Sequence, residues 1–140
     1  MPCREHAAQL CQRHEEFEQL NTRIVFISFG TLPGLQSWMK ETCNKFEVLL
    51  DPERNAYRAY QLERSLLRSW TPRTLIMYVK LLLAGRKMLP KEGDSSQLGG
   101  DFIVDQQGNL RLVYRSYDPT DRPSADFLLD AIRNISAHPE

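Results

Sequence analysis

The chain has 140 residues, 41% of them hydrophobic, with 18 Lys plus Arg against 18 Asp plus Glu. That is enough for one domain with a sizeable core, and a charge balance that argues against a nucleic-acid binder driven by bulk charge. Three cysteines make no secreted disulfide framework and suit a reducing, cytoplasmic setting with one working thiol, and no signal peptide or ~20-residue apolar span is present.

The opening stretch Met1-Pro2-Cys3-Arg4-Glu5-His6 starts a helical pattern. Cys3, Ala7, Leu10, Cys11, His14 and Phe17 recur at helical spacing, which predicts a helix from about Pro2 to Leu20. Pro2 suits its first position, where a missing N–H costs nothing. Cys3 then sits in the first turn, where unpaired N–H groups and the positive end of the helix dipole favour an anion. A thiolate is such an anion, helix N-termini and nearby cations favour it, and Arg4 supplies a cation one residue away.

Ile24 to Ile27 is a continuous apolar run of the kind found in a parallel strand buried on both faces. Pro33 begins a second helix, with a stripe of Leu35, Trp38, Met39, Thr42 and Cys43. Phe46 to Leu50 is a second strand. Asp51 then reads as an N-cap and Pro52 as the first residue of a short helix through Ala56, Tyr57 and Tyr60.

Residues 61 to 98 change character and read as a helical insertion. A helix is expected from about Pro72 to Ala84, with Leu75, Tyr78, Val79 and Leu82 facing inward and Arg73 and Lys80 on the rim. Arg64, Arg68, Arg86 and Lys87 add to its basic character. The plainest reading is a helix that packs its apolar side on the sheet and snorkels its cations, so no membrane partner is expected; a lid, a dimer face and a membrane surface are the alternatives. Pro90 to Gln97 reads as a polar loop. Asp101–Asp105 and Leu110–Tyr114, around Gly108-Asn109, read as a β-hairpin. Asp118 to Pro123 is a rigid loop, and Ser124 caps a last helix with Phe127, Leu128, Ala131, Ile132 and Ile135 as its stripe. The order gives a single α/β domain, residues 1 to 140, with a mixed sheet flanked by helices.

Cys3 is the candidate nucleophile, with Arg4 beside it to stabilise the thiolate. Arg115 and Arg122 are candidates for a second cation. Cys11 lies about 12 Å from Cys3 along the helix, too far for a disulfide without unwinding. Cys11 and Cys43 are therefore read as small buried apolar residues. Cys3, His6, Cys11 and His14 form two Cys-x-x-His pairs, but one straight helix cannot close all four on a single zinc. No metal or cofactor is expected. His6 is read as solvated, one turn from Cys3, and His14 as facing the core.

Three stretches carry a likeness to a known family. They are Pro2-Cys3-Arg4-Glu5, Asp51-Pro52-Glu53-Arg54 with Tyr57 and Tyr60, and Leu98-Gly99-Gly100-Asp101-Phe102-Ile103-Val104 followed by Gly108. In this order they resemble the peroxiredoxin-like branch of the AhpC/TSA (alkyl hydroperoxide reductase and thiol-specific antioxidant) family. The resemblance implies a thioredoxin-like fold and a thiol-dependent antioxidant or redox protein. Its partners would be a peroxide or disulfide substrate and an external thiol reductant, and a homodimer is allowed. Of the family's catalytic positions only Cys3 is matched. The first residue of a Cys-x-x-Cys or Thr-x-x-Cys would precede Met1, as would the central strand leading into the motif, and Gly99-Gly100 stand where thioredoxins carry a cis-proline. The expectation is therefore a sheet lacking its first central strand, an upstream or truncated start, and weak peroxide turnover by the chain as it stands. Two other readings compete. One is a non-catalytic module that binds a partner or membrane through the basic insertion. The other is a thiol–disulfide reductase whose first cysteine lies upstream.

Overall fold

In the computed structural model the described residues are 2–85 and 96–139. Arg86, Lys87 and most of the expected Pro90–Gln97 loop lie outside them. Two helices, α1 (Pro2–Gln12) and α2 (His14–Gln19), occupy the span expected of one. The break is at Arg13, with φ −103° and ψ 13°. Its N–H turns back to the Leu10 carbonyl three residues earlier at 3.2 Å. Its guanidinium is held by Glu16 and, at 2.7 Å, by Asp126.

Strand β1 (Val25–Ser28) runs parallel to β2 (Glu47–Leu50), joined through α3 (Leu32–Thr42). Thr31 caps α3 by accepting the Gly34 N–H at 3.4 Å. The expectation that β1 is buried on both faces is not met. Phe26 packs against the core, but Val25 and Ile27 on the other face remain exposed. Nor does Pro52 open the next helix. Asp51 does cap α4 (Asn55–Ala59), its two carboxylate oxygens accepting the N–H groups of Asn55 and Ala56 at 2.8 Å each. Arg54, at φ 59°, takes the left-handed turn that the chain needs to reach that cap, so the helix starts three residues later.

Two helices follow, α5 (Leu66–Ser69) and α6 (Pro72–Leu83). Thr71 caps α6 through the Thr74 N–H at 3.2 Å. The expected helix is there, but of its expected inward residues only Tyr78 is half-buried. Thr74 is fully buried, whereas Leu75, Val79 and Leu82 are exposed along with Ile76 and Leu83. The hairpin strands β3 (Gly100–Val104) and β4 (Leu110–Arg115) pair antiparallel with an irregularity at Ile103/Val104. Asp105 ties the turn by accepting the N–H groups of Gln107 and Asn109, and Gly108 adopts φ 85°.

The last helix, α7 (Ala125–Ala137), is capped by Ser124 through the Phe127 N–H at 3.1 Å. It buries Ala125, Leu128, Leu129 and Ile132 against Leu10, Phe17 and Phe46. Leu129, absent from the expected stripe, has no exposed surface, while the expected Phe127 is 46% exposed.

Among the described residues β1 pairs with β2 alone and β3 with β4 alone. The two sheets share a core, to which Phe26 contributes from one and Ile103 from the other. Both β1 and β3 line one groove of about 820 Å³. The expected mixture of parallel and antiparallel pairing is present, in two small sheets instead of one, and among the described residues no further strand pairs with β1 or β3.

Candidate functional site

Cys3 projects from the first turn of α1 and is the one free cysteine, exposed at the end of the groove. The cation on its sulfur is Arg122, whose Nη2 donates to Cys3 Sγ at 3.2 Å. Arg4 is turned elsewhere. Its guanidinium pairs with Glu41 of α3 at 2.5 Å. Of the two further arginines considered from sequence, Arg115 is bound to the Tyr60 carbonyl at 2.9 Å and Arg122 is the one that arrives.

Arg122 is brought there by the loop between β4 and α7. Asp118, buried, accepts the N–H groups of Thr120 and Asp121 and the Thr120 hydroxyl. Asp121 accepts the Tyr114 hydroxyl at 2.6 Å and the Tyr117 N–H at 2.7 Å. Two carboxylates thus fix the loop internally and leave the Arg122 side chain to reach across Gly99. A Cβ on Gly99 would come within 2.5 Å of Arg122 Nη2. Each glycine of the Gly99-Gly100 pair noted in the sequence therefore has a local cause: the guanidinium lies where a Gly99 side chain would be, and a Cβ on Gly100 would come within 2.7 Å of the Tyr114 carbonyl oxygen.

Asp101 completes the cluster from β3. Its Oδ2 accepts from Arg122 Nη1 at 3.3 Å and its Oδ1 lies 2.7 Å from His6 Nε2. His6 is buried at 6% exposure, which corrects its reading as a solvated residue. One helical turn after Cys3, it points inward to the hairpin and not out to water. Burial pushes the Asp101 carboxyl up, but the hydrogen bond and charge of His6 and the Arg122 guanidinium outweigh it and hold the group below its usual range. For Arg122 burial works against the charge, while Cys3 and Asp101 favour it and win, so the guanidinium is held more firmly protonated than usual. Two tyrosines also feel the sulfur. Tyr57, on α4, donates to the Ile27 carbonyl at 2.9 Å; burial and then the charge at Cys3 push it up to about 12. Tyr78, from α6, is raised by burial and by Cys3 in the same way.

Cys11 and Cys43 form a disulfide, with Cα atoms 6.1 Å apart, tying α1 to the end of α3. This corrects their reading as separate apolar thiols. They are 32 residues apart, and the parallel crossover brings the two helices together. The available signal was that each lies on the apolar stripe of a helix facing one core. A disulfide also removes the cysteine count as an argument for a reducing compartment. The four residues of the two Cys-x-x-His pairs are parted: Cys11 is in the disulfide, His6 is on Asp101, and His14 lies 3.6 Å from Glu18. No described helix is long and apolar enough to cross a membrane.

A cysteine thiol held by an arginine at the start of a helix, with a βα unit on one side and a hairpin and closing helix on the other, is an arrangement suited to thiol redox chemistry. No curated protein matches the chain. The family comparison covers the scaffold, residues 9–120, and stops short of Cys3 and Arg122 at either end. Over those residues the match is to the AhpC/TSA antioxidant enzyme family, to which the chain belongs, with the thioredoxin-like fold and the general thiol-dependent antioxidant role which that membership carries.

Proposed function

We propose that the chain is a peroxiredoxin-like thiol peroxidase in which Cys3 is the peroxide-reacting residue. The observation that carries the reading is the Arg122 guanidinium 3.2 Å from the Cys3 sulfur. In support, the same guanidinium is held from its other side by Asp101 Oδ2 at 3.3 Å, which fixes it against the sulfur.

The Cys3 thiolate attacks one oxygen of ROOH. An S–O bond forms, the O–O bond breaks, and RO⁻ leaves and takes a proton from water. Sulfur is oxidised to Cys–SOH and the peroxide is reduced to ROH. An external thiol RSH then condenses with the sulfenic acid, releasing water and giving Cys3–S–SR. A second RSH returns Cys3–SH and RSSR. Arg122 supplies positive charge where negative charge moves from sulfur to the leaving oxygen. With Cys11 and Cys43 joined to each other, the reductant comes from outside the chain. Arg4 has a lesser part through its pair with Glu41, which anchors α1 and with it the Cys3 turn.

The test is single-turnover oxidation. The chain is treated with one equivalent of hydrogen peroxide or an alkyl hydroperoxide in the presence of a sulfenic-acid trap, and the adduct is mapped. A trap adduct on Cys3, lost in Cys3→Ser and slowed about 10²-fold in Arg122→Met, is expected. An unmodified Cys3 at peroxide concentrations that oxidise free cysteine refutes the assignment. Cleavage of a small disulfide by Cys3 with no peroxide reaction favours the thiol–disulfide reading.

A further inference from the structure

We propose that α6 and the turn leading into it dock on an anionic lipid surface. At about 100° per residue, Leu75, Ile76, Val79, Leu82 and Leu83 fall in one stripe about 120° wide, the width with which a globular-protein helix normally faces its core. Here the stripe faces outward: Leu75 is 59% and Leu83 83% exposed. The face that the helix turns to the protein is a different one, with buried Thr74 and half-buried Tyr78. Just before α6, Leu67 is 89% and Trp70 57% exposed. An apolar stripe preceded by a half-exposed tryptophan has the composition of a helix lying in a membrane interface.

Charge selects the occupant. From Arg64 to Gly85 the chain has four cations, Arg64, Arg68, Arg73 and Lys80, and no Asp or Glu, although the whole chain is neutral. Arg68 is engaged by Glu63. Arg73 and Lys80, both exposed, fall side by side on the helical wheel along one border of the stripe. Their stems can lie on the apolar surface while the charges reach lipid phosphates and carboxylates. A second copy of this chain, meeting this one through the same stretch, brings no carboxylate to that border, because residues 64–85 contain none. An anionic bilayer surface satisfies both the stripe and its border. At 12 residues the helix is too short to span a bilayer, so it lies along the surface. The proposal does not depend on the role of Cys3.

The full chain is floated with vesicles of phosphatidylcholine alone and with about 30% phosphatidylserine. Binding is expected to the anionic vesicles, to be at least about tenfold weaker on the neutral ones, and to be released by high salt. The double variant Ile76→Glu/Leu83→Glu should lose binding while keeping its circular dichroism and melting temperature, since both positions are already exposed. Arg73→Glu/Lys80→Glu should abolish the preference for the anionic vesicles. A blue shift of tryptophan emission on the vesicles, absent in Trp70→Phe, is the second readout. The proposal is overturned if the chain stays unbound on both compositions, or if Ile76→Glu/Leu83→Glu binds as the parent does. It is equally overturned if those substitutions dissociate a dimer that never floats, which would assign the face to a second copy.

Discussion

Helices α6 and α7 have similar lengths, 12 and 13 residues, and each is capped by a hydroxyl side chain before its first turn. Each carries an apolar stripe. Yet α7 seals the core with Leu128, Leu129 and Ile132, while α6 buries only Thr74. An amphipathic pattern establishes that a helix has a face in need of a partner; it does not say that the partner is in the same chain. What separates the two is the border of the stripe. In α7 Asp126 and Asp130 engage Arg13 and Arg133, whereas α6 has cations and no acid.

The comparison can be broken by truncation. Leu129→Ala, at a site with no exposed surface, should cost about 3 kcal/mol or more through lost burial and the cavity left behind. Leu83→Ala, at 83% exposure, should stay within about 0.5 kcal/mol. Urea titrations of both variants decide the matter. Equal losses would mean that α6 is packed in solution and that the contrast drawn here is wrong.

The second probe separates the region around the α1–α3 contact from α6. Reducing Cys11–Cys43 opens a loop of 32 residues and should remove about 3.7 kcal/mol on the chain-entropy account. Melting with and without reductant, against Cys11→Ala/Cys43→Ala, measures it. The reduced parent and the double variant should melt together, well below the oxidised parent. An unchanged melting temperature on reduction would mean that the bond does not constrain the unfolded chain.

The coarse element order, the described strands and the caps at Asp51 and Ser124 could be read locally, because each depends on residues within a few positions; the caps at Thr31, Ser65 and Thr71 have the same local basis and were not read. Among the described residues one edge each of β1 and β3 is unpaired, as the order of the sequence motifs led us to expect. In the candidate site, the exposure of Cys3 at the start of α1 agrees with the sequence reading, and its cation was only half legible. Arg4 is adjacent in sequence and pairs with Glu41 across to α3, while Arg122 approaches from 119 residues away. His6 gave no signal of its link to Asp101, since the pairing forms only when the hairpin docks on α1. Gly99 did give one. Two adjacent glycines opening a strand are costly unless something must pass close by, and what passes Gly99 is Arg122, while Gly100 lies against the Tyr114 carbonyl.

That clearance is testable. In Gly99→Ala the new Cβ meets the far end of a long side chain and not backbone, so stability should change little. Arg122 must move, and alkylation of Cys3 at fixed pH should slow severalfold, in the direction of Arg122→Met. Normal alkylation in Gly99→Ala would separate the glycine from the site. Asp101, which also holds Arg122, gives a pH signature. Its carboxyl is depressed in the folded chain, so its stabilising effect is present above the unfolded value of about 3.9 and is lost as pH falls through the lower folded value. Asp101→Asn should therefore flatten the acid limb of the stability curve. An unchanged limb would show that other carboxylates set it.

The smallest effect expected is a spectroscopic one, and it reports on the site without any assay of function. Tyr57 is pushed up to about 12 by burial first and by the charge at Cys3 second, and Tyr78 is raised by the same two causes. Tyr114 is also raised, but chiefly by its hydrogen bond to Asp121. A phenol whose folded value lies above its unfolded value of about 10 stabilises the chain below that pH, and the contribution fades between about 10 and 12. Tyr57→Phe should flatten the alkaline limb in that window. Cys3→Ser removes the charge and leaves the burial, so the Tyr57 and Tyr78 resonances of ring-labelled protein should titrate at lower pH than in the parent, while Tyr114 stays where it was. If all three shift together, the change is a general loosening of the fold. If none shifts, the sulfur does not face the two rings, and a peroxide at Cys3 would meet open solvent instead of a site walled by α4 and α6.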